Sequence, residues 1–557
     1  MRTGAAELPT GTRNAGQAFV DQLVACGAEY VFGNPGTTEY AVLDAIGQTE
    51  GIDFVLTLHE GAAVSAAIGY ARASGKVGVV EVHAAPGLGN ALGMIYDAMV
   101  GETPLLVYVG QVEQSAYYLE PLLSGDLVSL ARPVTKWAYE VRTADEVPQI
   151  VRRAMKVALT PPYGPVLVSV PMDVSEQRCD AVVEPQRPLR TRTRPDPEAV
   201  AEAAEVILGA THPLVVTGDG IARSGAVDEV ARLAHLIGAP MRGGFLFETA
   251  IDPDDRLGGD RLNAGAAETN AVLRNHDVVV VAGSKLHKQL FPIAGDQAAG
   301  ARVVHISADP WELGKNQPGI LVWGDERLAL TDLVDAIEER ADAEHLRAWD
   351  KRCLAVKDEL HAAAQRQLDA DRRTWDASPM TPARAAYEIG RALPDDVCLA
   401  DESLTSSAAV ARYLRLERRQ WFRGRGGGIG EGLPTTVGVK LARPHQPVVG
   451  LVSDGASMYA PTALWTAAHH GIPVVWIVLN NRIYRILQDN AVRRRAPSRE
   501  GRPFVGTDLS RPPIDFVQVA AGFGVRAHRV EDPDELAGVV RAAIAADEPV
   551  LIEVVIA

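Results

Sequence analysis

The chain has 557 residues, of which 47% are hydrophobic and 23% are charged, and its formal net charge is −16. This length predicts three or four domains with ample core, and the acidic balance argues against a general nucleic-acid-binding protein. The sequence contains no run of about 18 apolar residues that would predict a membrane span. The four cysteines are scattered and the first 16 residues lack an apolar signal core, so we expect a cytoplasmic protein.

Short apolar runs alternate with amphipathic stretches along the whole chain, which is typical of α/β domains with parallel sheets. The first predicted unit covers residues 12–182. It begins with a helical pattern over residues 15–26. Its predicted strands are residues 30–32, 77–82, 105–109 and 166–170.

Two further units follow a Pro- and Arg-rich linker at residues 185–197. The second covers residues 198–339, and a charged segment rich in helix formers leads to the third, residues 376–557. Strands of the second unit are predicted at residues 214–216, 278–282 and 303–306. The predicted fold class is therefore α/β, with three doubly wound parallel-sheet domains.

Polar residues follow two successive apolar runs in the third unit. Asp454 follows the first run and Asn481 the second, with one predicted helix, residues 461–470, between them. A strand–helix–strand unit brings both strand ends to the same sheet edge. A carboxylate, an amide oxygen and a loop carbonyl there would suit one octahedral cation. The competing interpretation is two ordinary strand-end turns.

A second group of polar residues lies in the first unit. Glu60 precedes an Ala-rich helical pattern, where an acidic residue is commonly a helix cap. His83 stands at the mouth of a Gly-rich loop, residues 84–90, whose backbone could face a bound ring. The loop does not complete a dinucleotide fingerprint, because Leu92 takes the place of the third Gly. A histidine at a strand end is otherwise commonly structural.

Several segments together resemble thiamine diphosphate-dependent enzymes. They are residues 32–36, Glu60, residues 83–91, residues 110–111, Asp454-Gly455 and Asn480-Asn481, with Ser453 replacing the first Gly of the usual Gly-Asp-Gly. Within this superfamily the chain is most similar to the benzoylformate decarboxylase family. That similarity is carried by residues 132–133, 136–140, 463–468 and 513–516, and it extends over nearly the whole chain.

The resemblance implies pyrimidine-binding, central and diphosphate-binding domains in that order. It also implies thiamine diphosphate and Mg²⁺ as cofactors. In this family the pyrimidine-side glutamate and the magnesium motif come from different subunits, so a homodimer is the expected minimum and a homotetramer is common. The expected substrate is a small 2-oxo acid, with no nucleic-acid or membrane partner.

The resemblance also implies a role for each candidate residue. Glu60 would hydrogen-bond the pyrimidine ring, and Ile429, beside Gly428, would be the hydrophobic wedge that bends the cofactor. Mg²⁺ would be held by Asp454, Asn481 and the carbonyl of Ile483. Further cofactor-binding residues would be Glu402, Ser403, Thr405, Gly455, Ala456, Ser457 and Tyr484. The serines and the threonine could instead be helix caps.

Acid–base and substrate roles fall on residues of the first two units. His83 would exchange protons or orient the substrate, and Thr37 stands where the family carries a serine near the substrate carboxylate. A second family histidine is expected after the strand at residues 278–282, but Leu290 occupies its place and His287 lies three residues earlier. Either His287 substitutes or the second acid–base group is absent, which would leave more time for carboligation.

Two other segments depart from the family pattern. Residues 484–487 are larger than the family's pocket residues, and residues 490–513 carry six arginines. These arginines are either a solvated surface or a means of attracting an anionic substrate or acceptor. In the second unit, residues 218–220 read Gly-Asp-Gly, but Leu246 rather than an asparagine stands 27 residues on. We therefore predict neither FAD nor a nucleotide in that unit.

Four functions compete on this sequence. We expect non-oxidative decarboxylation of a benzoylformate-like 2-oxo acid, aromatic or branched, to an aldehyde. The alternative is a carboligase that passes the same acyl group to a second carbonyl compound or an anionic acceptor, as acetohydroxyacid synthases do. A nicotinamide dehydrogenase is disfavoured because neither Gly-rich loop completes a dinucleotide fingerprint. The missing histidine and Ser453 also leave open a cofactor-binding protein without turnover.

Overall fold

The computed structural model contains three six-stranded sheets, and all strand pairs with a defined register are parallel. Helices flank each sheet, so the predicted fold class of three α/β domains is confirmed. The structure describes residues 13–187, 189–244, 251–259, 261–262, 266–285, 298, 300–414, 416, 420–494 and 504–557. No helix in these ranges is long and apolar enough to span a membrane.

The first sheet is built from the N-terminal third of the chain. Its strands are β1 (Tyr30–Asn34), β2 (Asp53–Leu56), β3 (Gly78–Val82), β4 (Leu105–Gln111), β5 (Trp137–Glu140) and β6 (Pro165–Pro171). Its helices are α1 (Ala15–Ala25), α2 (Tyr40–Gln48), α3 (Glu60–Ser74), α4 (Ala84–Val100), α5 (Leu127–Ala131), α6 (Val147–Ala158) and α7 (Met172–Glu176). The strand order is β2-β1-β3-β4-β6-β5. β3 and β4 are buried along their whole length, and their sequences are mostly apolar, with the exceptions of Glu81 in β3 and Gln111 in β4.

The strands of the central sheet are β7 (Pro213–Thr217), β8 (Met241–Gly243), β9 (Gly258–Gly259), β10 (Val278–Ala282), β11 (Arg302–Ser307) and β12 (Ile320–Trp323). Their order is β12-β11-β10-β7-β8-β9. The accompanying helices are α8 (Pro197–Leu208), α9 (Asp219–Ser224), α10 (Val227–Ile237), α11 (Ala266–Arg274), α12 (Glu326–Arg340) and α13 (Ala343–Arg372). The expected histidine site after β10, with His287 and Leu290, lies outside the described residues.

The third sheet comes from the C-terminal part of the chain. Its strands are β13 (Cys398–Glu402), β14 (Trp421–Arg423), β15 (Val448–Ser453), β16 (Val475–Asn480), β17 (Arg526–Val530) and β18 (Val550–Val555). Its helices are α14 (Pro382–Gly390), α15 (Ser407–Tyr413), α16 (Gly432–Ala442), α17 (Asp454–Ser457), α18 (Ala463–His470), α19 (Arg485–Arg493), α20 (Phe516–Gly522) and α21 (Pro533–Ala545). The strand order is β14-β13-β15-β16-β18-β17.

The first sheet and strands β13 and β15 to β18 of the third sheet belong to one compact unit, and the central sheet and β14 belong to another. The domain limits expected from the sequence, residues 12–182, 198–339 and 376–557, stay predictions.

Within the compact unit that contains the first sheet, α3 and α16 pack in opposite directions. A β-carbon on Gly438 would clash with the carbonyl oxygen of Ala66, and one on Gly69 would clash with that of Thr435. At the other end of this contact, Glu431, the residue before α16, interacts electrostatically with Arg72 in the last turn of α3. Positions later in α16 therefore meet positions earlier in α3. The N-terminus of α3 consequently lies far from the N-terminus of α16.

Candidate active site

An acid–imidazole pair lies at the carboxyl edge of the first sheet. His83 follows β3, and its Nδ1 is 2.8 Å from Oε2 of Glu39, which is fully buried. The Thr38 hydroxyl donates to Oε1 of Glu39 at 2.5 Å, and the Gly36 backbone N–H donates to Oε2 at 3.1 Å. A carboxylate at Nδ1 favours the proton on that nitrogen and leaves Nε2 available to a substrate. Glu39 is a candidate that the sequence analysis missed.

Two glycines make room for this pair. A β-carbon on Gly36 would clash with Nδ1 of His83, and one on Gly110 would clash with Oε1 of Glu39. Thr37 begins the short 3-10 turn Thr37–Glu39, and it is exposed while the other two residues of the turn are buried. The turn therefore directs the Glu39 side chain inward and leaves Thr37 at the surface beside the pair.

Glu60 is the first residue of α3 and is 6% exposed. Its Oε2 accepts a hydrogen bond from Nδ2 of Asn90 at 3.1 Å. The helix cap is His59, whose Nδ1 accepts the Gly61 backbone N–H at 3.0 Å, so Glu60 is not the cap residue. The Glu60 carboxyl group is therefore directed into the protein, where a ligand could reach it.

The prediction of a Gly-rich loop over residues 84–90 is wrong, because these residues form the first turns of α4. Glycine disfavours helix, but tertiary packing overrides that preference here. A β-carbon on Gly87 would lie 3.0 Å from Oε1 of Glu60 and 3.5 Å from Cβ of His83. Glu60 and His83 thus flank the start of α4. We call Thr37, Glu39, Glu60 and His83 the acid–base group.

The predicted cation ligands come together at the carboxyl edge of the third sheet. Asp454 directly follows β15, and its Oδ2 accepts the Arg482 backbone N–H at 2.7 Å. The Ile483 backbone N–H donates to Oδ1 of Asn481 at 3.1 Å. Burial raises the pKa of the Asp454 carboxyl. We call Asp454, Asn481 and Ile483 the cation group.

This donor set fits a hard cation. It offers one carboxylate and two neutral oxygens, which leaves positions for a diphosphate and water. Among the residues that the structure describes, no three His, Cys, Asp or Glu side chains cluster as a metal site. A β-carbon on Gly455 would clash with the Tyr484 ring, so the backbone beside Asp454 needs glycine for close packing.

The Gly-rich stretch with Ile429, residues 424–431, is here called the wedge loop. It is anchored on both sides of Ile429. Asp97 Oδ1 accepts the Gly428 N–H at 3.0 Å, while Oε1 of Glu402 accepts the Gly430 N–H at 2.7 Å. The other oxygen of Glu402 accepts the N–H of Gly432, the first residue of α16, at 2.8 Å. Burial raises the pKa of Glu402 to about 7.

Glu402 was expected near the diphosphate, but both of its oxygens hold the wedge loop and the start of α16. The neighbouring Ser403 hydroxyl donates to Oδ1 of Asp401 at 2.5 Å, and the Ser457 hydroxyl donates to the Asp454 carbonyl at 2.8 Å. Thr405 is exposed, and Ala456 lies within α17. The two serine hydroxyls therefore make local hydrogen bonds of the kind expected at helix ends.

Three of the six arginines in residues 490–513 lie in the described part of the chain. Arg493 and Arg494 are exposed at the end of α19, and Arg511 is also exposed. The other three, Arg495, Arg499 and Arg502, lie outside the described residues.

Three family models match successive parts of the chain. They are the N-terminal TPP binding domain of thiamine pyrophosphate enzymes over residues 13–128, the central domain over residues 200–333 and the C-terminal TPP binding domain over residues 405–554. Together they cover the parts of the chain that contain the acid–base group and the cation group.

Relatives align along almost the full length. The chain is 32% identical to benzoylformate decarboxylase of Pseudomonas aeruginosa, covering 95% of this chain and 96% of the relative. It is 27% identical to a probable acetolactate synthase large subunit of Methanococcus aeolicus, covering 97% and 91%. Among solved structures, a thiamine diphosphate-dependent 4-hydroxybenzoylformate decarboxylase of Rhodococcus jostii RHA1 matches with a TM-score of 0.84 at 28% identity, covering 98% and 99%. The resemblance expected from the sequence is confirmed.

Proposed function

Because the chain belongs to the family of thiamine pyrophosphate enzymes, we propose that it decarboxylates a 2-oxo acid with an aromatic or branched side chain to an aldehyde, without oxidation. The observation that carries this proposal is the pair of His83 and the buried Glu39 beside Glu60. The similarity to a benzoylformate decarboxylase and to a 4-hydroxybenzoylformate decarboxylase supports an aromatic substrate.

The acid–base group has separate tasks in this proposal. Thiamine diphosphate supplies the electron sink for carbon–carbon bond cleavage when it is bound. Glu60 would share a proton with its pyrimidine ring. His83 would exchange a proton with the substrate through Nε2, and the Glu39 carboxylate would stabilise the imidazolium. Thr37 would hydrogen-bond the substrate carboxylate. His287 stays a candidate for the second acid–base residue.

The cation group would hold the other end of the cofactor. Asp454, Asn481 and the Ile483 carbonyl would bind Mg²⁺, whose remaining positions suit the diphosphate. Ile429 would press against the cofactor from the wedge loop, which Asp97 and Glu402 hold in place. Gly428, Gly455, Ala456, Ser457 and Tyr484 stay proposed cofactor contacts, and so do Ser403 and Thr405. An Mg²⁺ requirement is therefore part of the proposal.

A homodimer is the proposed minimum unit, because Glu60 and the wedge loop of the same chain lie far apart. Glu60 begins α3, and Arg72, which faces Glu431 of the wedge loop, lies 12 residues later, or about 18 Å along the helix. The wedge loop also contacts Asp97, which is about 20 Å along α4 from the His83 end. A second copy would bring its own Glu60 to the wedge loop. A homotetramer would contain two such dimers.

Carboligation is the second candidate function. The similarity to a probable acetolactate synthase large subunit along 97% of the chain favours it. The same acid–base and cation groups would serve both reactions. The two reactions differ in the partner to which the former keto carbon bonds after carbon dioxide has left. In decarboxylation this partner is a proton, and in carboligation it is the carbonyl carbon of a second compound. Four free cysteines support a cytoplasmic location for either activity.

The test is an assay of carbon dioxide release from benzoylformate, pyruvate and branched-chain 2-oxo acids, with thiamine diphosphate and Mg²⁺ supplied. Glu60→Gln is the active-site variant, and Glu50→Gln, at an exposed position, is the matched control. Release with free aldehyde that Glu60→Gln alone abolishes would support the decarboxylase. Release only after an aldehyde or oxo acid acceptor is added would support the carboligase. No release under either condition would contradict both.

A further inference from the structure

A third buried carboxyl group lies beneath the acid–base group. Glu81 is in β3, two residues before His83, so both side chains lie on the same face of the sheet. Its register neighbours are Gly33 in β1 and Tyr108 in β4. A β-carbon on Gly33 would clash with Oε2 of Glu81, so the carboxyl group extends over Gly33. Glu81 has no exposed surface.

Nothing in the described part of the chain stabilises a negative charge on Glu81. Neither of its oxygens has a hydrogen-bond partner among the described residues, and the Tyr108 hydroxyl beside it also has none there. The charged groups that act on Glu81 most strongly are Glu39 and Glu60, which are both acidic. His83, on the same strand, is already paired with Glu39. A buried carboxylate in such a place becomes neutral rather than ionised.

We infer that Glu81 is neutral and carries a proton, so that Glu39 and Glu60 do not meet a third negative charge in the same buried space. The inference rests on the proposed function, because it assigns Glu39 to His83 and Glu60 to the cofactor. Burial and the two neighbouring carboxylates raise the pKa of Glu81 to about 9. Glu81 is therefore protonated at neutral pH and ionises in alkaline solution.

Ionisation of Glu81 has two consequences at the acid–base group. A new negative charge favours the imidazolium form of His83, which then cannot accept a proton. It also repels the carboxylate of an incoming 2-oxo acid. Both effects act in the alkaline range, and the second appears in KM rather than in kcat.

The first test compares wild type with Glu81→Gln as holoenzymes, with benzoylformate as substrate. Glutamine has nearly the same shape and keeps the neutral state at every pH. The KM of wild type is expected to rise roughly tenfold between pH 7.5 and pH 10, and the KM of Glu81→Gln is expected to rise less. Parallel KM curves would overturn the inference.

A second test needs no turnover, so it separates failure of the inference from failure of the proposed function. In protein labelled with ¹³C-glutamate, infrared spectra at neutral pH are expected to contain a protonated-carboxyl band that Glu81→Gln reduces. Burial also raises the pKa values of Glu402 and Glu431, but their bands occur in both proteins and cancel in the difference. A difference spectrum without this band would overturn the inference.

A third measurement applies if Glu81→Gln does not fold. Glu39→Gln removes one of the two charges that oppose ionisation of Glu81. The infrared band that disappears in alkaline solution is therefore expected to disappear at lower pH in Glu39→Gln than in wild type. An unchanged titration would show that the two carboxyl groups do not interact, which contradicts the inference.

Discussion

Asn480 and Glu553 are joined by a buried hydrogen bond, in which Nδ2 of the amide donates to Oε1 of the carboxylate at 2.7 Å. This contact turns the amide oxygen of Asn480 toward the backbone N–H of Arg482, which it accepts at 3.1 Å. Arg482 has a φ of +60°, an uncommon conformation for a residue with a side chain. Arg482 stands between Asn481 and Ile483, so Glu553 acts on the cation group through Asn480.

The first prediction is that Glu553→Gln weakens Mg²⁺ binding by about 10- to 100-fold. The carboxylate also accepts from Nε of Arg529 at 2.9 Å, and glutamine leaves that cation less well paired. The measurement is the Mg²⁺ dependence of thermal unfolding with thiamine diphosphate present. The control is Glu548→Gln, which breaks an exposed ion pair with Arg526 in the same sheet. Equal Mg²⁺ affinity in wild type and Glu553→Gln would show that Glu553 does not position the loop.

The second prediction concerns the acid that pairs with His83. Glu39→Gln is expected to lower kcat/KM by about 100-fold, because the neutral amide stabilises an imidazolium less and no longer fixes its tautomer. Cofactor binding is expected to stay unchanged. The measurement is the pH dependence of kcat/KM with the preferred 2-oxo acid. The control is Glu176→Gln, whose carboxylate accepts from the Tyr40 hydroxyl at 2.6 Å near the surface. A variant as active as wild type would exclude Glu39 from the acid–base group.

Much of the fold could be predicted from the sequence, because buried parallel strands have continuous apolar sequences. Strand β10 was predicted with the limits that the structure has, Val278–Ala282. The ends of β15 and β16 were also predictable, and they place Asp454 and Asn481 directly after neighbouring strands. Their spacing along the chain was sufficient to predict that Asp454 and Asn481 lie close together, because they follow the two strands of a single strand–helix–strand unit.

The residues that the sequence did not indicate depend on contacts between distant segments. Glu39 lies in a short turn without periodicity, and only the folded sheet brings it to His83, 44 residues later. In the sequence, Glu81 is an isolated polar residue within an apolar strand. Its pKa depends on burial and on two other carboxyl groups that are distant from it along the chain. The start of α4 was predicted as a loop because Gly87 and Gly89 disfavour helix. The close approach of Glu60 to Gly87 is visible only in three dimensions.

The third prediction tests the close packing of α3 against α16. Gly438→Ala is expected to lower the free energy of unfolding by about 1–3 kcal/mol, because the new methyl group meets the carbonyl oxygen of Ala66 and a backbone atom cannot turn aside. The matched control is Gly538→Ala in α21, where a β-carbon meets nothing within 4 Å. That change is expected to stabilise the protein by about 0.5–1 kcal/mol. The measurement is denaturant unfolding followed by circular dichroism, and equal effects of the two substitutions would contradict the packing argument.

The fourth prediction concerns His470, the last residue of α18. Its Nε2 accepts the backbone N–H of Leu56, the last residue of β2, at 2.9 Å. The contact therefore requires an unprotonated Nε2. Burial, followed by the neighbouring His469, lowers the pKa of His470 below its ordinary value of 6.5. Since the folded state binds this proton less readily than the unfolded state, the stabilisation is complete above pH 6.5 and is lost as the pH falls below that value.

His470→Gln separates this effect from other titrations, because the glutamine Oε1 can accept the same N–H and does not ionise. Thermal unfolding of both proteins is measured between about pH 8 and pH 5. Glu402 and Glu81 titrate in both proteins, so their effects cancel in the difference between the two Tm values. Wild type is expected to lose Tm relative to His470→Gln as the pH falls below 6.5. His445→Gln, at an exposed position, is expected to follow wild type. If the difference between wild type and His470→Gln is the same at every pH, protonation of His470 does not weaken the link between α18 and β2.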